Sequence, residues 1–138
     1  MDREKLVTLY KKYELTETDV YKHKHYVIIT RQGIEKIAAK ENIAISYEVI
    51  KCEPNFAVVK GYAHTPSNAD IQIETFGSAL KGSTYNDGNC NSWYVMEMAE
   101  KRALSRCVLK LTGFYSLGVF SEDESDDFKK SKPKVNNN

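Results

Sequence analysis

Proline is scarce in this chain and long apolar runs are absent. Three prolines in 138 residues leave long stretches with nothing to break a helix or strand. No run approaches the ~20 apolar residues that a membrane-crossing helix needs, so no membrane partner is expected. Cysteine is equally sparse. Cys52, Cys90 and Cys107 are odd in number, far apart and without Cys-x-x-Cys spacing, which argues against a disulfide framework or a zinc knuckle and for free thiols. The opening "MDREKLVTLYKK" is charged at once and has no apolar signal region, so an intracellular protein is expected. Catalytic signatures are missing too: there is no Walker-type glycine loop, nucleophile elbow or zincin helix. His23 and His25 lack a nearby carboxylate or cysteine, and solvated histidines fit them better than metal ligands. The expectation is a non-enzyme that needs no cofactor.

A net charge of +1 hides an uneven distribution. The stretch "SEDESDDF" concentrates Glu122, Asp123, Glu124, Asp126 and Asp127, and "KKSKPKVNNN" follows with Lys129, Lys130, Lys132 and Lys134. Without these nine residues 16 bases face 14 acids, a balance of only +2. Any nucleic-acid site must therefore come from local clustering of cations.

Periodicity supplies the elements. Leu6, Leu9, Tyr10 and Tyr13 recur at steps of three and four, so residues 3–13 read as a short helix. "YELTETDVYKHK" reads as a polar connection and "HYVIIT" as a β-branched strand. Thr30 then caps the helix "RQGIEKIAAKEN". Three alternating segments, "AISYEVIKC", "FAVVKGYAHT" and "IQIETFG", are separated by the turn residues "EPN" and "TPSNAD". The polar stretch at 81–91 is a loop, Asn91 or Ser92 caps a long helix to about Leu111, and Gly113 stops it. Ala99, Ala103 and Cys107 share the sheet-facing side of that helix. Beyond Phe120 apolar groups are too few to offset the entropy of ordering.

The fold expected is α+β: a three-stranded antiparallel meander, which an N-terminal strand could extend, covered by the long C-terminal helix and a shorter helix. Residues 1–120 form one domain, and 121–138 a disordered acidic-then-basic tail.

The long helix carries the main functional question. "MAEKRALSRCVLKLTGF" places Arg102, Arg106 and Lys110 at steps of four, and like charges at that spacing repel. Two readings stand. One is a solvated face with scattered ion pairs, among them Glu97 with Lys101. The other is a row facing phosphates: no acid follows Glu100 until Glu122, and arginine forks suit phosphate oxygens; the acidic tail folded back over the row is a competing relief of the same repulsion. In "YKHKHY", Lys22, Lys24, Tyr21 and Tyr26 could extend such a groove, as could Arg31 at the start of its helix.

The chain also resembles a known family. The order helix, meander, long basic helix over residues 30–114 is similar to the core of the single-strand annealing proteins. These comprise the eukaryotic radiation-repair annealing family and its phage relatives of the Erf and Sak type. "FGSA" at 76–79 resembles the aromatic-Gly-Ser-Ala that ends the third strand there, and "MAEKRALSRCVLKLTGF" resembles the closing helix. "SLGVFSEDESDD" is similar to the acidic stretch after that helix in Erf-type proteins. The resemblance places the closing-helix basic residues on Lys101 and Arg102 or on Arg106, and a further one on Arg31. It implies ATP-independent annealing of complementary strands by rings or filaments of subunits, in phage recombination.

The expected interface therefore comprises Arg102, Arg106, Lys110, Lys101, Arg31, Lys24 and Tyr26, with single-stranded DNA and further copies of the chain as partners. A protein partner for the acidic tail is a further candidate. The alternatives are a plain single-strand-binding protein and a phage assembly module with no nucleic-acid role.

Overall fold

The computed structural model describes residues 3–84 and 87–124. The chain is α+β, as expected, but its strands form two sheets of three rather than one extended sheet. Helix α1 (Arg3–Lys12) leads into a hairpin, β1 (Val20–His23) and β2 (Tyr26–Ile29). Helix α2 (Arg31–Glu41) follows, its first turn capped by Thr30 Oγ1, which accepts the Gly33 amide at 3.2 Å. The meander is β3 (Ala44–Glu53), β4 (Phe56–Thr65) and β5 (Asn68–Leu80), antiparallel in that order. Helix α3 (Val95–Thr112) lies on it, and a 3₁₀ turn (Tyr115–Leu117) leads to β6 (Val119–Ser121).

Alternation sets the faces of the meander. Ala57, Val59, Gly61 and Ala63 of β4 and Thr75, Gly77 and Ala79 of β5 are buried toward α3. Ala99, Ala103 and Cys107 meet them from the helix. Small residues on both sides bring the backbones close. A Cβ on Gly77 would sit 2.2 Å from the Ala99 carbonyl oxygen and 2.4 Å from the Ala103 amide nitrogen, so only glycine fits there.

Two expectations are corrected. The N-terminal strand does not extend the meander: β2 pairs antiparallel with β1 and parallel with β6. Helix α2 does not cover the meander either. Its Ile34 and Ile37 join Leu6 of α1, Tyr13 just after it, Val27 and Ile29 of β2, Val108 and Leu109 of α3, and Phe114 in a second core. Helix α3 thus partitions the domain, with the meander core along one face and this core on the other.

The domain also continues past Phe120. Ser121 is buried in β6, and Glu124 is only 6% exposed. The expected tail boundary therefore falls at least four residues too early, since 121–124 pack against the body. The rest of that tail, 125–138, lies outside the described residues.

Candidate nucleic-acid interface

The row on α3 lies along the outer edge of β5. Arg102 is 3% exposed. Its Nη1 donates to the Ser78 carbonyl and its Nη2 to the Asn89 carbonyl, both at 2.8 Å. One turn on, Arg106 Nη1 donates to the Phe76 carbonyl at 3.0 Å. Lys110 Nζ reaches Thr75 Oγ1 at 3.3 Å and lies 5.2 Å from the Tyr115 ring centroid. Ser78 and Phe76 sit on an edge strand of the sheet, where carbonyls without a ladder partner are costly to bury. Two guanidinium groups supply the donors that a fourth strand would have supplied.

Negative charge comes from the residues read as the start of a tail. Glu124 Oε2 accepts Arg106 Nε at 2.9 Å. Asp123 accepts Arg31 Nη2 at 3.2 Å and Ser105 Oγ at 3.0 Å. Glu122 Oε1 accepts the Arg31 amide at 2.6 Å, at the N-terminus of α2, where a carboxylate also meets the helix dipole favourably. Three consecutive acids thus fasten α2 and α3 to the C-terminal segment.

The expected exposed row is therefore corrected. Arg102 is an interior residue, and Arg106 and Arg31 are paired with carboxylates of the same chain. Lys110 is exposed, and Lys101 is half-buried. Tyr26 is also placed differently from Lys24. In the hairpin Tyr26 pairs with His23, and its ring stands edge-on to Phe120 at 5.6 Å. Lys24 lies at the turn and faces elsewhere.

Lys24 lines a groove of about 670 Å³ between α1 and the β1–β2 hairpin. The groove has an apolar floor of Leu6, Val7, Val20 and Val27. Around it stand Arg3, Lys22, Lys24 and His25, with the rings of Tyr10 and Tyr21. Among the described residues no carboxylate lines it. Arg3, Lys22 and Lys24 form no ion pair with any described carboxylate. The turn residue Lys24 holds a left-handed backbone, φ 59°, which a side-chain-bearing residue adopts only at a cost.

Chemically the groove offers positive charge to an anionic polymer and ring faces to flat groups. Sequence reasoning found its hairpin half in "YKHKHY" but missed Arg3. Arg3 comes to the groove because Leu6 of α1 and Tyr13 just after the helix pack into the second core.

Elsewhere no reactive group stands out. Cys107 is buried against the meander, and burial pushes its thiol up to about 11, far from thiolate chemistry. Among the described residues, no three histidine, cysteine or acidic side chains come together as a metal site would require, and no helix is long and apolar enough to cross a membrane. No protein-family model matches the chain, and neither a curated protein nor a solved structure is detectably similar to it.

Proposed function

We propose that this chain binds single-stranded DNA in the groove between α1 and the β1–β2 hairpin, and that it anneals complementary strands without nucleotide or metal in phage recombination. One observation carries the reading: among the described residues the groove holds two tyrosines and three cations without an ion-pair partner, and no carboxylate lines it. Gripping a strand by its phosphates leaves base edges free for a complement, which is what pairing without sequence preference requires. The "FGSA" strand end and the closing helix support the reading through their resemblance to annealing proteins. The chain then acts as a binding protein rather than an enzyme, inside the cell.

Self-association belongs to the same proposal. Strand β3 is an edge strand, exposed along nearly its whole length, and carries Tyr47, Val49 and Ile50 exposed. The edge of β5 is blocked by Arg102 and Arg106 from Phe76 to Ser78. Copies therefore join through β3, and repetition turns a short groove into a longer track.

The test is an annealing assay with complementary oligonucleotides, with and without ATP and magnesium, run beside a mass measurement. Faster pairing in the absence of both, by a species larger than one chain, is the expected result. Binding without faster pairing would reduce the protein to a single-strand binder. No binding at low salt would leave an assembly module.

A further inference from the structure

Two aromatic side chains have no part in either core. Trp93 is 67% exposed and Tyr94 is 70% exposed, the most open of the large apolar side chains described. They are neighbours just before α3, far along the chain from the hairpin groove. Their backbone is held although their rings are exposed. The Tyr94 amide donates to Ser92 Oγ at 3.0 Å, and Cys90 Sγ donates to the Ser92 carbonyl at 3.3 Å. Cys90 is buried, and the Asn89 and Cys90 amides both donate to the Leu80 carbonyl at the end of β5. The ammonium of Lys81 stands 4.9 Å from the Trp93 ring centroid.

We infer that Trp93 and Tyr94 form a stacking platform for unpaired nucleobases, with Lys81 placed to meet the adjoining phosphate. This rests on the proposal that the chain binds single strands, and it adds a second contact region to the groove. Two observations favour a nucleobase over an apolar protein surface. The ammonium of Lys81 stands over the Trp93 ring, and the two residues just before it in the chain, Asn91 and Ser92, are polar, so charge and hydrogen-bonding groups adjoin the aromatic pair. Unpaired bases are recognised by this combination, ring faces for stacking and amides or hydroxyls for base edges. The anchored backbone also leaves little to be ordered on binding.

Trp93 is the only tryptophan of the chain, so fluorescence excited at the red edge of the indole band reports on this position alone. The full-length protein is titrated with an oligothymidine carrying a distant dye, and tryptophan emission and dye anisotropy are read together. Quenching that follows the anisotropy curve is expected. Trp93→Ala should weaken binding about 5- to 150-fold, whereas Trp93→Phe should stay within about threefold. Because Trp93 is exposed, both variants should keep the wild-type circular dichroism. Binding by anisotropy with unchanged emission, and with Trp93→Ala as tight as wild type, would overturn the platform while leaving the groove proposal intact. No anisotropy change at all would overturn both. Emission that shifts with protein concentration in the absence of DNA, together with a mass increase lost in Trp93→Ala, would make the pair a self-association patch instead.

Discussion

Arg106 Nε lies 2.9 Å from Glu124 Oε2, and the Glu124 side chain is only 7% exposed. This pair answers why the closing helix tolerates three cations in a row. Their counter-groups belong to the same chain: edge carbonyls of β5 and the acids that follow β6. A half-buried pair of this kind should couple measurably. In a double-mutant cycle of Arg106→Ala and Glu124→Ala, read by urea unfolding, the coupling should be about 1–3 kcal/mol. A coupling near zero would mean the contact is only a solvated surface pair.

Gly77 sets how closely α3 approaches β5. With backbone atoms 2.2 and 2.4 Å from a built Cβ, the helix must shift to admit even a methyl group. Gly77→Ala should destabilise the domain by about 2–4 kcal/mol. It should also loosen the Arg102 bonds to Ser78 and Asn89. Hydrogen exchange at the α3 amides is the check, and unchanged protection with unchanged stability would refute the packing argument.

Asp19 is fully buried in the segment before β1 and joins it to α2. Its carboxylate accepts Lys36 Nζ at 2.7 Å, the Thr16 amide at 2.9 Å and Gln32 Nε2 at 3.1 Å. Burial works against its ionisation, but the bonds from Lys36 and Thr16 outweigh it and hold the carboxyl below its ordinary 3.8. A depressed carboxyl contributes stability above its unfolded value and loses it as pH falls through the folded one. Asp19→Asn should therefore cost about 1–3 kcal/mol at neutral pH. The gap from wild type should narrow below about pH 4, as chemical denaturation across pH will show. A gap independent of pH would assign the loss to packing alone.

The meander was legible in the sequence because alternation and turn residues are local signals. Ile45, Tyr47 and Val49 alternate with Ser46 and Glu48, and "EPN" marks the first turn. The end of α3 at Gly113 was legible as well: Gly113 has φ 90° there, a conformation natural to glycine. Its start was not: Tyr94 is the N-cap, without a side-chain bond, rather than Asn91 or Ser92. Strands β1 and β6 were missed because they are four and three residues long. Their stability comes from β2, which is 90 residues away from β6 in the chain and carries no local sign of it.

The candidate site was half legible for the same reason. Side-chain periodicity grouped Arg102, Arg106 and Lys110 correctly on one stripe of α3, but it could not see backbone carbonyls of β5. The return of the acidic stretch across the helix stood only as one way to relieve the repulsion, with no sequence signal for which of Glu122, Asp123 and Glu124 meets which base. The one available signal was that acidic triplet, placed soon after a helix rich in unpaired bases. In "YKHKHY" Tyr26 found a ring partner in Phe120, but no described carboxylate reached Lys22 or Lys24, which remained the exposed cations they had seemed.

The groove is tested most directly by the salt dependence of oligothymidine binding, measured by anisotropy. Three neutralised phosphates give a log–log slope near −2 for a single strand. The triple variant Arg3→Ala, Lys22→Ala, Lys24→Ala should bind weakly and flatten that slope toward zero with its fold intact, while Lys101→Ala, Lys110→Ala leaves it unchanged. The opposite pattern, with the slope held by the groove variant and lost by the helix variant, would contradict the account.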